Sequence, residues 1–171
     1  VVREFANKFH IPVVSTMMGI GVMPNDDDLY MGMLGTNGKP HANYAVHECD
    51  VLVLVGARVA DRAVVKPYKL ERRNTTIVHI DVDPAEIGKN LGTTVPLVGD
   101  VHVIFENLLQ YEIPGNYTAW NEELAEKKAA YVDRRHFNPD FVNPCRFVQT
   151  LSSKMNDDAI YVADVGQNQL W

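Results

Sequence analysis

Apolar positions along this chain follow two rhythms, and the two alternate. Val1, Val2, Phe5, Ala6 and Phe9 recur at helical spacing and predict a helix over Val1–His10 with one inward face. Ile11–Thr16 reads as a short buried strand, with Pro12 near its start, where a missing N–H costs least. Tyr30–Gly38 reads as a short strand running into a glycine-rich loop, and Pro40–Cys49 as a helix with Ala42, Ala45, Val46 and Cys49 on one side. Asp50–Gly56, DVLVLVG, is the most strand-like run, and continuous apolar runs of this kind are buried on both faces in parallel sheets. Ile77–Ile80 is the next strand, with Asp81 at its end. Asp83, Pro84 and Glu86 then supply an N-cap, a first-turn proline and a capping box, predicting a helix start. Val95–Asp100 is a further strand, and Asp100 can cap a helix over Val101–Leu109. This alternation predicts an α/β fold, a doubly wound parallel sheet.

Past Leu109 the pattern changes. Pro114, Gly115 and Asn116 close the first domain. Tyr117–Arg135, with Trp120, Leu124 and Tyr131 among Glu, Lys and Ala, predicts an amphipathic helix and linker. Asn143-Pro144 starts another helix, with Phe147, Val148 and Leu151 as its apolar face. Asp158–Val165 reads as a buried strand that feeds Gly166, the opening of a second α/β domain. The expected division is 1–115, 116–138 as a helical linker, and 139–171.

Composition narrows the function. The formal net charge of −6 over 171 residues argues against a nucleic-acid partner, which would require a basic face. No run of eighteen apolar residues suits a membrane span. Val1–His10 has no signal-peptide pattern, because Arg3 and Glu4 interrupt it. Two distant cysteines, Cys49 and Cys145, fit a reducing, cytoplasmic setting rather than a disulfide framework. The six histidines show no zinc-ligand spacing, so no metal site is expected.

Candidate chemistry gathers at the strand ends. An acidic residue at the carboxyl end of a buried strand is where an α/β nucleotide-binding domain holds a ribose, and Asp81 stands there; it equally suits a cap for the next turn. Met17–Gly21 holds two glycines just past a strand, suited to close approach of a ligand or to a plain tight turn. Ala57–Arg62 puts Arg58 and Arg62 at the same edge, where guanidinium groups suit phosphate or a flavin's polar rim, or form a salt-bridged loop. Lys66–Asn74 reads as a basic surface helix and loop.

Taken jointly, several motifs resemble the thiamine-diphosphate enzymes, most closely acetolactate (acetohydroxyacid) synthase large subunits. They are STMMGIG at Ser15–Gly21, GMLGTNG at Gly32–Gly38, ANYAV at Ala42–Val46, GARVADR at Gly56–Arg62, HIDVDPAEIGKN at His79–Asn90, VGD at Val98–Asp100 and DVGQNQLW at Asp164–Trp171. The chain departs from the family pattern at Thr36-Asn37, Val59-Ala60 and Asn168, where Met-His, Phe-Asp and His are usual.

The resemblance implies that the first domain is the family's central, FAD-binding type. Thr16, Met17, Met18, Asn37, Gly56, Arg58, Arg62, Asp81, Val82, Asp100 and Val101 would be its contacts. It implies that Gly166, Gln167 and Asn168 touch the diphosphate of thiamine diphosphate, and that residues from 139 onward begin that cofactor's domain. The family's catalytic glutamate and magnesium ligands match nothing in this chain, so the resemblance implies a piece that is inactive alone. The same likeness implies a parent that condenses 2-oxo acids in branched-chain amino-acid synthesis, assembled as a homodimer or homotetramer with a possible regulatory subunit. Pyruvate oxidases, other carboligases and a non-catalytic nucleotide-binding module are the alternatives. It also implies that the domain's own first strand, central in a doubly wound sheet, is not among these residues.

Overall fold

In the computed structural model, residues 1–60, 75–112, 115–132, 138–156, 158–162, 164 and 166 are described. The chain starts with helix α1, Val2–Phe9, whose Phe5, Ala6 and Phe9 are buried and which closes on His10 in a left-handed conformation. Strand β1, Val13–Ser15, pairs in parallel with β2, Tyr30–Met33, and the buried Ser15 Oγ lies 2.7 Å from the Tyr30 hydroxyl. A single 3₁₀ turn, Met17–Gly19, follows β1. Helix α2, Pro40–Glu48, has its proline in the first turn and carries the chain from the end of β2 back to the start of β3, Val51–Val55.

Strands β3, β4 (Thr76–Asp81) and β5 (Val95–Val98) form a three-stranded parallel sheet in that order. Helix α3, Val101–Leu108, follows β5, and the Asp100 carboxylate accepts the His102 N–H at 2.7 Å, as its capping role predicts. Helix α4, Thr118–Ala129, packs on the same unit, Val1–Tyr131, through the fully buried Leu124.

The core has two faces around β4. Phe5 and Phe9 of α1, with Phe105 of α3, cover Ile80, Val78 and Val55 on one face. On the other, Val46 of α2 packs with Leu54, Ile77, Val59 and Leu91, and Val14, Leu34 and Leu52 complete that cluster. Helices on both faces of parallel strands make this the doubly wound α/β class read from the alternation.

Four local expectations give way. Asp83–Asn90 is not a helix: Asp83 Oδ1 accepts the Ala85 N–H and its carbonyl accepts that of Glu86, so two successive turns form instead. The Glu86 carboxylate does not reach back to cap; it pairs with Lys89 at 3.0 Å. Strand β3 is not buried on both faces. Val51 is 53% and Val53 39% exposed, because β3 pairs with β4 alone among the described residues.

The remaining two lie in the second unit, Val132–Trp171. Helix α5, Pro144–Lys154, starts as expected, with Asn143 accepting the Arg146 N–H at 3.0 Å, but its Phe147, Val148 and Leu151 are exposed. The described residues of Asp158–Val165 form no strand. Ile160 and Val162 are 90% and 95% exposed, as a lone segment without a ladder partner must be. Lys66–Asn74 lies outside the described residues.

Candidate functional site

The strands of each of the two parallel ladders end on one edge, and the predicted ligand residues of the first unit lie at or just past strand ends. Thr16 and Met17 follow β1, Asn37 lies in the loop after β2, and Gly56 and Arg58 follow β3. Asp81 closes β4 with Val82 after it, and Asp100 and Val101 follow β5. Arg62, Gln167 and Asn168 lie outside the described residues. Gly166 belongs to the second unit, where it is exposed.

Asp81 is held in place from both sides. Its side chain is buried, 8% exposed, and Oδ1 accepts the Asp83 N–H at 2.9 Å. Its carbonyl accepts the Gly99 N–H at 3.0 Å, locking the end of β4 to β5. One oxygen thus caps the turn, as one reading of Asp81 expected, and Oδ2 makes no hydrogen bond among the described residues.

The neighbouring loop rises around a glycine. Gly56 has φ +56°, donates its N–H to the Ile80 carbonyl at 2.8 Å, and a Cβ placed there would meet nothing within 4 Å. The backbone at this point thus opens onto free space at the strand edge, as a close-approaching ligand requires. Arg58 is exposed, and Val59 beyond it is buried with φ +48°, a conformation that β-branched residues seldom adopt.

Two asparagines hold this edge, and neither stood among the expected ligand residues. Asn90 donates from Nδ2 to the Arg58 carbonyl at 2.7 Å. Asn43 brackets Gly35, accepting its N–H at 2.7 Å and donating to its carbonyl at 2.9 Å, and so fixes the loop that carries the exposed Asn37. Their only signal in the sequence was membership of the ANYAV and HIDVDPAEIGKN motifs. The same loop contains Gly38, where a Cβ would come within 2.4 Å of the Met33 carbonyl oxygen, so only glycine fits.

Apolar side chains also face solvent here. Met18 is 93% exposed, and Met17, Ile20 and Val82 are exposed as well.

Comparison with known proteins decides the family. Residues 1–108 match the model of the thiamine pyrophosphate enzyme, central domain. This chain belongs to the thiamine pyrophosphate enzymes. Over 171 aligned residues, 94% of its length, it is 40% identical to the probable acetolactate synthase large subunit of Methanocaldococcus jannaschii. It is 34% identical to the acetolactate synthase large subunit of Lactococcus lactis over 99% of its length, and 36% to acetolactate synthase 1, chloroplastic, of Nicotiana tabacum over 99%. The chain spans 29%, 29% and 26% of the length of these three relatives. In this thiamine pyrophosphate enzyme domain, no helix among the described residues is long and apolar enough to cross a membrane. Nor does any group of three His, Cys, Asp or Glu among those residues suit a metal ion.

Proposed function

We propose that this chain is the flavin-holding central piece of an acetolactate synthase. The parent would use thiamine diphosphate and magnesium to decarboxylate one 2-oxo acid and join the remainder to a second. The observation that carries the reading is that Thr16, Met17, Asn37, Gly56, Arg58, Asp81 and Asp100 each close or follow a strand of one of two parallel ladders. The relatives' names support the reaction, and the position of these residues at strand ends supports a nucleotide site.

The residues present suit FAD. Asp81 offers an acceptor oxygen to a ribose hydroxyl, Arg58 offers a cation to the diphosphate, and Gly56 leaves its backbone open to approach. Bound there, the flavin would be a second cofactor of the parent, in addition to thiamine diphosphate. The carbanion chemistry would belong to thiamine diphosphate, with the protein supplying position and charge. Gly166, with Gln167 and Asn168, would meet that cofactor's diphosphate. A cytoplasmic homodimer or homotetramer with a regulatory subunit is part of the same proposal for the parent.

The test is to purify the full-length parent, measure the flavin it releases on denaturation, and assay acetolactate from pyruvate with thiamine diphosphate and magnesium. Stoichiometric FAD with acetolactate formation is the expected result. A parent that makes another product, or one that retains no flavin, overturns the corresponding half. The isolated 171 residues should form no acetolactate.

A further inference from the structure

Three basic side chains gather where the first turn of α2 meets the end of α4. Lys39 stands at the N-cap of α2 without a side-chain capping bond, and Pro40 follows it. The N–H groups of His41 and Ala42 have no acceptor within the helix, as in any first turn. His41 itself is 7% exposed, and its Nδ1 is buried without a hydrogen-bond partner among the described residues. Its hydrogen bond with the Met31 backbone therefore falls to Nε2. Helical side chains lean toward the N-terminus, and Nδ1 is the ring nitrogen nearer the backbone, so it is aimed at the free end of this turn.

Two lysines flank the ring. Lys39 Nζ stands 5.0 Å over the Tyr131 ring, whose centroid lies 5.6 Å from that of His41. Gly32 makes room for the lysine stem: a Cβ there would come within 3.3 Å of Lys39 Cγ. Lys128, in the last turn of α4, donates to the Tyr30 carbonyl at 2.8 Å and the Asp27 carbonyl at 3.3 Å, which leaves one N–H of its ammonium over. Lys128 and Lys39 are the charges that act on His41, and both are cations. The acids on the packed elements are engaged elsewhere: Asp27 Oδ1 accepts the Leu29 N–H, while Glu123 takes the Tyr44 hydroxyl and pairs with Lys127. The Tyr30 hydroxyl is bound to Ser15.

We propose that the first turn of α2, with Lys39, His41 and Lys128, is a binding site for a small dianionic oxyanion, a sulfate or phosphoryl group. The His41 and Ala42 N–H groups, the helix dipole and the two ammonium groups draw the anion, and Nδ1–H of protonated His41 completes the site. Neutral His41, with its proton on Nε2, offers Nδ1 only as an acceptor, so the anion binds together with a proton. Without the anion, burial and two neighbouring cations oppose the imidazolium; the anion reverses that balance. The site is independent of the flavin reading.

The experiment follows the His41 imidazole and the backbone amides of this chain by NMR as sulfate replaces chloride at constant ionic strength. It runs between about pH 5 and 8, where an imidazole titrates and the charge of sulfate is constant. The His41 and Ala42 amides should shift together. Saturating sulfate should raise the proton affinity of His41 roughly tenfold, and protonation should tighten sulfate by the same factor, since linkage is reciprocal. Lys39→Gln, at an exposed position, should weaken sulfate roughly fivefold or more, while Lys154→Gln in the second unit should leave it unchanged. A His41 titration and amides that ignore sulfate overturn the site. Binding that does not change with pH, or that is equal in Lys39→Gln, marks an adventitious ion only and overturns it equally.

Discussion

Asn90 donates a hydrogen bond to the Arg58 carbonyl across 2.7 Å, joining the turn after β4 to the loop after β3. Arg58 is thereby held by a residue 32 positions away in sequence. Val59, the next residue, sits in a left-handed conformation that a β-branched side chain adopts only under constraint. Its burial among Leu54, Ile77 and Leu91 supplies one part of that constraint and Asn90 the other.

Asn90→Ala removes this tie. The expected cost is about 0.5–1.5 kcal/mol, the usual net worth of one hydrogen bond, seen as a lower urea midpoint with unchanged slope. In the parent enzyme the same substitution should weaken flavin retention, because Arg58 loses its position. An Asn90→Ala parent with unaltered stability and unaltered flavin would show that the bond restrains nothing.

Asp81 holds a turn and, in the proposed function, would also hold a ribose, and two substitutions separate the two. Asp81→Asn keeps an acceptor for the Asp83 N–H but removes the charge, so stability should change by no more than about 0.5 kcal/mol. Asp81→Ala removes the acceptor as well and should cost about 0.5–2 kcal/mol of stability, as other lost caps do. Flavin retention in the parent should weaken by roughly 1–3 kcal/mol in Asp81→Ala, with part of that loss already present in Asp81→Asn. Dialysis followed by flavin quantification reads this directly. An Asp81→Ala parent that keeps all its flavin would leave Asp81 with its turn alone.

Much of this arrangement was legible in the residues, for physical reasons. The run Val51–Val55 is β-branched and too short for a helix, and Asp100 stands just before an apolar helix, so the strand and the cap were both readable from local signals. The end-of-strand position of Asp81 followed in the same way. Asp83-Pro84-Ala85-Glu86 misled because a capping box needs a helix to cap. Here the chain must turn back within a few residues to start β5, and Glu86 takes Lys89 instead. The exposure of Val51 and of the α5 face could not be read, since burial depends on what packs against a segment and not on the segment itself. The roles of Asn43 and Asn90 were hidden for the same reason: each acts on a residue outside its own element, Gly35 and Arg58.

His41 predicts a pH dependence. Burial lowers its pKa from 6.5, the Lys128 and Lys39 cations lower it further, and a hydrogen bond with the Met31 backbone works the other way. Between its folded pKa and 6.5 the unfolded chain therefore binds more protons than the folded one, so unfolding free energy rises with pH in that window. Stability should fall as pH drops below about 6.5 and level off once the folded pKa has been passed. The measurement is a urea midpoint series across that window for the native chain and for His41→Gln, whose difference isolates this residue. Parallel curves for the two proteins would remove His41 from the account.

Leu124 predicts how firmly α4 belongs to the sheet. It is fully buried among Met31, Ala42 and Ala45, while around it Lys128 donates to the Tyr30 carbonyl at 2.8 Å, Asn121 to the His10 carbonyl at 2.8 Å, and the Tyr44 hydroxyl to Glu123. Leu124→Ala would leave a cavity on α2 and β2 and should cost about 2–5 kcal/mol, the range for buried leucines. The Lys127–Glu123 pair on the same helix spans 3.8 Å at partly exposed side chains, and Lys127→Met should cost less than about 1 kcal/mol. The contrast matters more than either value, because it separates a helix docked by its core from one held by surface charge. Urea unfolding of both variants decides it. If Lys127→Met proved the more damaging, α4 would be held by its charges and would come free of the sheet at high salt. If Leu124→Ala does, as expected, α4 should stay docked at any ionic strength, with hydrogen exchange across Thr118–Ala129 as slow as that of α2.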